Sequence, residues 1–260
     1  MHPTADPRKS FDPAAEIYDE IRPSYPAPLF DCLFGLLPPR AHILEVGPGT
    51  GQATRDLLGR GAVVHAVELG PGMAAKLKAN LPTDDLQVTV GDFEQVDVPK
   101  HSMDAVFSAT AYHWITPAAQ LDRPATILKP GGILAIVDTN QVDSPDDEGF
   151  FDAVQPIYDR YAQGHTGPPA PPRTNVDPPI RRSLSQDRRF VDVEVHGYDW
   201  NQTYTAAAYR KLMLSYSGTQ MMNPTDREAL LDEIEAFIRD RFSGRITRPL
   251  VVTLTTAKLA

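Results

Sequence analysis

The stretch Ile43-Leu44-Glu45-Val46-Gly47-Pro48-Gly49-Thr50-Gly51-Gln52 limits what this chain can fold into more than any other. An apolar run leads into three glycines at alternate positions. That order makes a buried strand that turns sharply into a helix and brings its backbone close to a ligand. The dinucleotide fingerprint asks for G-x-G-x-x-G/A. Gly47 and Gly49 fill its first two places, but Gln52 stands in the third. Glu45 also lies inside the apolar run, where a carboxylate is costly without a partner. A plain strand-to-helix turn leaves that acid unexplained. A nucleotide-like ligand carrying positive charge supplies the partner.

The surrounding pattern fits such a turn. Residues 41–46, 62–67, 86–90, 104–108 and 133–137 read as strands. Residues 50–60, 71–80 and 117–128 read as the helices between them, with Gly59 and Gly61 as stop signals and Pro71 at a first helical position. This alternation predicts an α/β fold: a mostly parallel sheet with helices on both faces and its ligand beyond the carboxyl ends of the strands. Glu45, Glu68, Asp92 and Ser108 fall at those ends.

Past residue 140 the pattern loosens. Residues 146–163 read as a helix, 191–200 as an alternating strand and 250–256 as a closing strand. Thr225-x-x-Glu228 has the form of a capping box and opens a helix with Leu230, Leu231, Ile234, Phe237 and Ile238 on one face. Residues 167–179 hold six prolines and are expected to form a loop, a candidate lid. The expected division is a single domain: a helical cap over 1–40, a ligand-binding core over 41–138, and substrate-side insertions, lid and closing strands over 139–260.

Several side chains suit the ligand. Glu68, at the end of the second strand, is placed to accept hydrogen bonds from both hydroxyls of a ribose, a feature shared with dinucleotide sites. Asp92 can accept from an adenine amino group while Phe93 packs on the ring; Leu69 and Met73 either pad that ring or belong to the core. Ser108-Ala109-Thr110-Ala111 follow the fourth strand and are small enough to let the backbone approach. Tyr112-His113-Trp114 follows the fourth strand, where a substrate meets the cofactor. His113 is a candidate general base, since its unperturbed pKa lies near neutrality; the alternative is a histidine that closes the pocket. Tyr112 and Trp114 are expected as pocket wall. In the N-terminal segment, Arg22 suits a ligand carboxylate, and Tyr18 and Tyr25 are placed to cover the site; the alternative is an amphipathic docking helix.

Charge narrows the partners. The 260 residues carry a net charge of −9, against the basic face of a general nucleic-acid binder. Arg181, Arg182, Arg188 and Arg189 form a local exception, read as a solvated loop. The single cysteine, Cys32, excludes an intrachain disulfide and a cysteine-rich zinc site. No His/Asp/Glu cluster has metal-ligand spacing, so no metal is expected. No apolar run approaches the roughly 18 residues of a membrane span, and the first residues lack a signal-peptide core, so a cytoplasmic location is expected. Oligomeric state is not legible.

Together these pieces resemble a class I S-adenosylmethionine (SAM)-dependent methyltransferase, specifically the small-molecule group similar to trans-aconitate and ubiquinone/menaquinone-type methyltransferases. The resemblance rests on Leu44-Glu45-Val46-Gly47-Pro48-Gly49-Thr50-Gly51, Val67-Glu68, Gly91-Asp92-Phe93, Ser108-Ala109-x-Ala111-x-His113-Trp114 and Leu128-Lys129-Pro130-Gly131-Gly132. Tyr18-x-x-x-Arg22-Pro23-x-Tyr25-Pro26 matches a subgroup. It implies a Rossmann-like seven-stranded sheet with an antiparallel last strand. It implies that Glu45 and the glycine turn (Gly47, Gly49, Gly51) hold the methionine part of SAM, Glu68 the ribose and Asp92 the adenine, while the N-terminal segment closes over them. The expected reaction is methyl transfer to an O, N or C nucleophile of a small molecule, leaving S-adenosylhomocysteine. The alternatives are a non-catalytic SAM-binding protein, an NAD(P)-dependent oxidoreductase on a similar sheet, or an RNA or protein methyltransferase.

Overall fold

The computed structural model describes residues 15–144, 149–163 and 170–260. In chain order the elements begin with α1 (Ala15–Ile21), α2 (Ala27–Phe34), β1 (His42–Val46), α3 (Thr54–Gly59), β2 (Val63–Glu68), α4 (Pro71–Asn80) and β3 (Leu86–Val90). Then come β4 (Met103–Ala109), α5 (Pro117–Ile127), β5 (Leu128–Gln141), α6 (Phe150–Arg160), α7 (Pro179–Gln186) and β6 (Phe190–Asp199). The last are β7 (Gln202–Thr205), α8 (Ala206–Leu214), α9 (Ser217–Met221), α10 (Pro224–Arg241), β8 (Arg245–Arg248) and β9 (Leu250–Leu259).

The chain divides into two compact units that share it in alternating pieces. One comprises Ser24–Asn140, Asp177–Tyr198 and Val252–Ala260; the other comprises the described parts of Met1–Pro23, Gln141–Val176 and Asp199–Val251. The region expected as one substrate-side segment over 139–260 is thus split between both.

The first unit holds a seven-stranded sheet in the order β3-β2-β1-β4-β5-β9-β6, mostly parallel, with the last strand, β9, antiparallel. β1 runs parallel between β2 and β4, with Glu45 opposite Ala66 on one side and Phe107 on the other. The last four residues of β1 are buried, as befits a central strand covered on both faces. Leu44, Val106, Leu134 and Ile136 anchor the core here. Cutting Leu44, fully buried, to alanine is expected to cost about 2–5 kcal/mol. The strand order reverses between β1 and β4, so the crevice at their carboxyl ends is the switch point where open α/β sheets take ligands.

Local departures from expectation have physical causes. The helix after the glycine turn, α3, starts at Thr54, because Gly49 (φ 60°) and Gly51 (φ 105°) hold the preceding turn out of helical geometry. β5 is far longer than residues 133–137 and includes Pro130 and both glycines; a register shift against Met103 and Ala105 absorbs them. The capping box does not form. Asn223 is the cap, accepting from the Asp226 amide at 2.9 Å, and Pro224 takes the first helical position, so Thr225 already lies inside α10. Within the expected loop, residues 167–169 lie outside the described residues. Farther along, Arg173 is tied to Asn201 Oδ1 at 2.6 Å, Ser144 Oγ at 3.2 Å, Asp199 Oδ1 at 3.2 Å and the Leu250 carbonyl at 3.1 Å, which anchors that stretch. From Pro179 the chain is helical: the proline preorganises the first turn of α7.

The second unit packs α1, α6, α8 and α10 with the antiparallel pair β7–β8. Phe150, Tyr204, Tyr209, Leu231, Ile234 and Ile246 are in its core. Among the described residues no helix is long and apolar enough to cross a membrane.

Candidate active site

Two glycines of the turn leave no room for a side chain. Gly47 has φ 67°, and a Cβ there would lie 2.6 Å from the Cβ of Ala111. Gly51 is equally closed, with Leu77 Cδ1 at 2.8 Å from its would-be Cβ. The turn therefore packs its backbone closely against Ala111 and Leu77, with no room for side chains of its own at these two positions.

Glu68 is pinned at the rim. Its Oε2 accepts from the Gly49 amide at 3.0 Å and its Oε1 from the Gly70 amide at 2.9 Å. Two amides fix the carboxylate at the end of β2.

Glu45 is 1% exposed. Its Oε2 is buried with no hydrogen-bond partner. Burial pushes its pKa up to about 8; the nearby Thr54 hydroxyl, short of a full hydrogen bond, offsets part of the rise, and the Glu68 charge adds to it. A buried acid with an orphaned oxygen marks a place for a positively charged or hydrogen-donating ligand.

The far wall comes from the loops after β3 and β4. Asp92 Oδ1 accepts from the Glu94 amide at 3.0 Å, a turn that fixes the carboxyl at the strand end. Glu94 in turn accepts from the Thr116 amide at 2.9 Å and hydroxyl at 2.8 Å, at the start of α5. From α5, Gln120 donates to the Ile115 carbonyl at 3.1 Å and Arg123 donates to the Val96 carbonyl at 2.5 Å and the Phe93 carbonyl at 3.2 Å. One helix thus grips both loops.

His113 stands on a single turn of 3-10 helix, Tyr112–Trp114. It is exposed, its ring lies 4.9 Å from that of Trp114, and its nitrogens make no hydrogen bond among the described residues. Partial shielding from water lowers its pKa below the usual 6.5, so the ring is neutral and able to accept a proton at neutral pH.

Thr110, expected only as one of a run of small residues, follows β4 in the left-handed region at φ 54°. Its hydroxyl meets the Tyr25 hydroxyl at 2.9 Å, which brings Tyr25 to the end of β4. A threonine carries no signal for positive φ, which is costly for a β-branched residue and clusters at functional sites.

Comparisons with known proteins give the family. A model of the methyltransferase domain matches residues 44–136. An uncharacterized methyltransferase of Mycobacterium bovis is 30% identical, with 96% of each chain covered. The chain belongs to the class I SAM-dependent methyltransferases. A malonyl-[acyl-carrier protein] O-methyltransferase of Halorhodospira halophila is 37% identical over 41% of this chain and 38% of its own. In fold, the chain is similar to a phosphoethanolamine N-methyltransferase of Haemonchus contortus solved with S-adenosylhomocysteine, with a TM-score of 0.57, 16% identity, and 98% of this chain and 60% of that chain covered.

The methyltransferase uses SAM as its cofactor. The glycine turn, the pinned Glu68 and the orphaned Glu45 oxygen all suit it. Other expected contacts sit less openly. Met73 (2% exposed), Phe93 (4%) and Tyr112 (3%) are in the core and offer a ligand little surface. The Tyr112 hydroxyl donates to the Gln120 carbonyl, so this residue braces the turn that presents His113 instead of forming pocket wall. Arg123 lies over the Phe93 ring at 5.5 Å. Ser108 Oγ donates to the Val46 carbonyl at 2.8 Å, locking β4 to β1; Leu69, Ala109 and Trp114 are half-buried. Tyr18 and Arg22 belong to the second unit, where Arg22 donates to Ser215 Oγ and the Ser215 carbonyl, each at 3.0 Å.

Proposed function

We propose that this methyltransferase moves the methyl group of SAM to an O, N or C nucleophile of a small molecule, with His113 taking or orienting the acceptor's proton. The observation that carries the reading is the exposed, neutral His113 imidazole on a braced turn at the carboxyl end of β4. Bound SAM supplies an electrophilic methyl on a sulfonium. Glu45 would face its positive charge, Glu68 would accept from its ribose hydroxyls, and Asp92 would accept from its adenine amino group. Gly47, Gly49 and Gly51 let the backbone approach the methionine part. The protein's remaining work is alignment and exclusion of water.

A nucleic-acid acceptor is less favoured. Arg181 is paired with Asp177, and Arg189 with Asp122 and Asp187, so half of the basic cluster is already matched by acid.

The test begins with calorimetry of SAM and S-adenosylhomocysteine against wild type and Glu68→Ala, with NADH as control. Micromolar SAM binding lost in the variant supports the site. An acceptor screen read by S-adenosylhomocysteine release follows. Turnover confined to RNA or protein substrates would sink the small-molecule reading.

A further inference from the structure

Arg248 ends β8, and strand alternation puts it on the same face as Ile246, which is 2% exposed in the core of the second unit. A charge on the inward face is costly unless it is matched. Among the described residues no carboxylate pairs with Arg248. Its Nη1 donates to the Tyr216 hydroxyl at 2.6 Å, its Nη2 reaches Gln141 Oε1 at 3.4 Å, and its Nε is buried with no acceptor. The hydroxyls of Tyr158, Tyr204 and Tyr209 lie within reach of its charge.

A second cation shares the same tyrosine. The Arg22 guanidinium lies 4.7 Å from the Tyr216 ring centroid, and it too has no acid partner among the described residues. The contrast within this unit is plain: Arg210 has Asp232 at 2.6 Å and Glu228 at 2.7 Å. Arg248, by contrast, faces inward with a buried donor that has no acceptor.

We propose that Arg248 is the charge centre of a site for a small carboxylate ligand, completed by Tyr216, Tyr158 and Gln141. The planar guanidinium fork suits a carboxylate, and the neighbouring hydroxyls can donate to the same group. The assignment goes beyond the methyl-transfer reading and does not rest on it: every residue of the site belongs to the second unit.

The experiment titrates succinate, its neutral counterpart succinamide, and inorganic phosphate into the full chain, followed by calorimetry and thermal denaturation. Millimolar succinate is expected to bind and raise Tm, succinamide is not, and succinate binding should weaken with salt. Arg248→Met is expected to fold without ligand at undiminished stability, since it removes an unmatched buried charge, and to weaken succinate about tenfold or more while leaving SAM affinity unchanged. Should that variant fail to fold, Tyr216→Phe is expected to weaken succinate about fivefold. No succinate binding, equal binding of succinamide, preference for phosphate, or unchanged affinity in the variants overturns the site.

Discussion

Glu45→Gln is expected to stabilise the ligand-free protein, and increasingly so as pH rises. The Glu45 carboxyl has a pKa of about 8 in the folded chain against 4.5 for an unperturbed one. Between those values the unfolded chain has lost the proton and the folded chain keeps it. Folding stability therefore falls as pH rises through that window, by up to about 1.4 kcal/mol per pH unit, and levels off above it. The full span is on the order of 4–5 kcal/mol, and the share reached at pH 7 is roughly 3 kcal/mol. Glutamine has nearly the shape of the neutral acid and does not ionise, so the variant escapes this loss. Urea denaturation of both proteins at pH 5, 6, 7 and 8 measures the difference directly. The gap should be small at pH 5 and widen steadily to pH 8. A gap that stays flat, or a wild type that gains on the variant with rising pH, refutes a neutral Glu45 in the empty site. SAM should flatten the slope, because a positive ligand pulls the acid toward ionisation. Binding at pH 7 should then release close to one proton in wild type and none in the variant, read by calorimetry in buffers of different ionisation enthalpy.

Three further outcomes follow from the geometry. Gly47→Ala should abolish SAM binding and cost about 1–3 kcal/mol of stability, since it adds overpacking to a left-handed backbone; Ala111→Gly in the same chain should recover part of the stability, and no recovery in a denaturation series would count against the clash. The kcat of wild type should fall with acid through an inflection below pH 6.5 as His113 is protonated, and His113→Ala should lower kcat much more than SAM affinity; an unchanged kcat removes the base role. A double-mutant cycle of Tyr25→Phe and Thr110→Val should give a coupling of about 0.5–1.5 kcal/mol in stability, and additive effects would show that their hydroxyl contact contributes nothing.

How far the sequence could be read depended on whether a residue's role was local. The strand before Gly47, the helix Pro71–Asn80 and the strand Leu86–Val90 follow from periodicity and a proline at a helix start, and their bounds match the structure closely. Glu45 and Glu68 were legible because an acid in or after an apolar run stands out. Tyr112 was not, because its direction is set by a bond to the Gln120 carbonyl eight residues on. Neither was Thr110, whose backbone is dictated by neighbouring strands, nor Arg248, whose meaning depends on the acid it lacks. The helix Ala206–Leu214 was missed for another reason: its Thr205 cap, which accepts from the Ala208 amide at 3.1 Å, follows directly on a strand with no turn signal between them.

The strand order also sets a timetable. β9 lies inside the sheet, between β5 and β6, yet the ribosome delivers it after both. Until it arrives, β5 presents an open edge of unpaired backbone groups, the kind of surface that recruits other chains. Through that interval more than a hundred residues have been made between β5 and the strand that will cover it. A nascent chain of this design should depend on holding factors late in synthesis, and slowing translation within the α10 coding region should lower its soluble yield more than slowing it before β5.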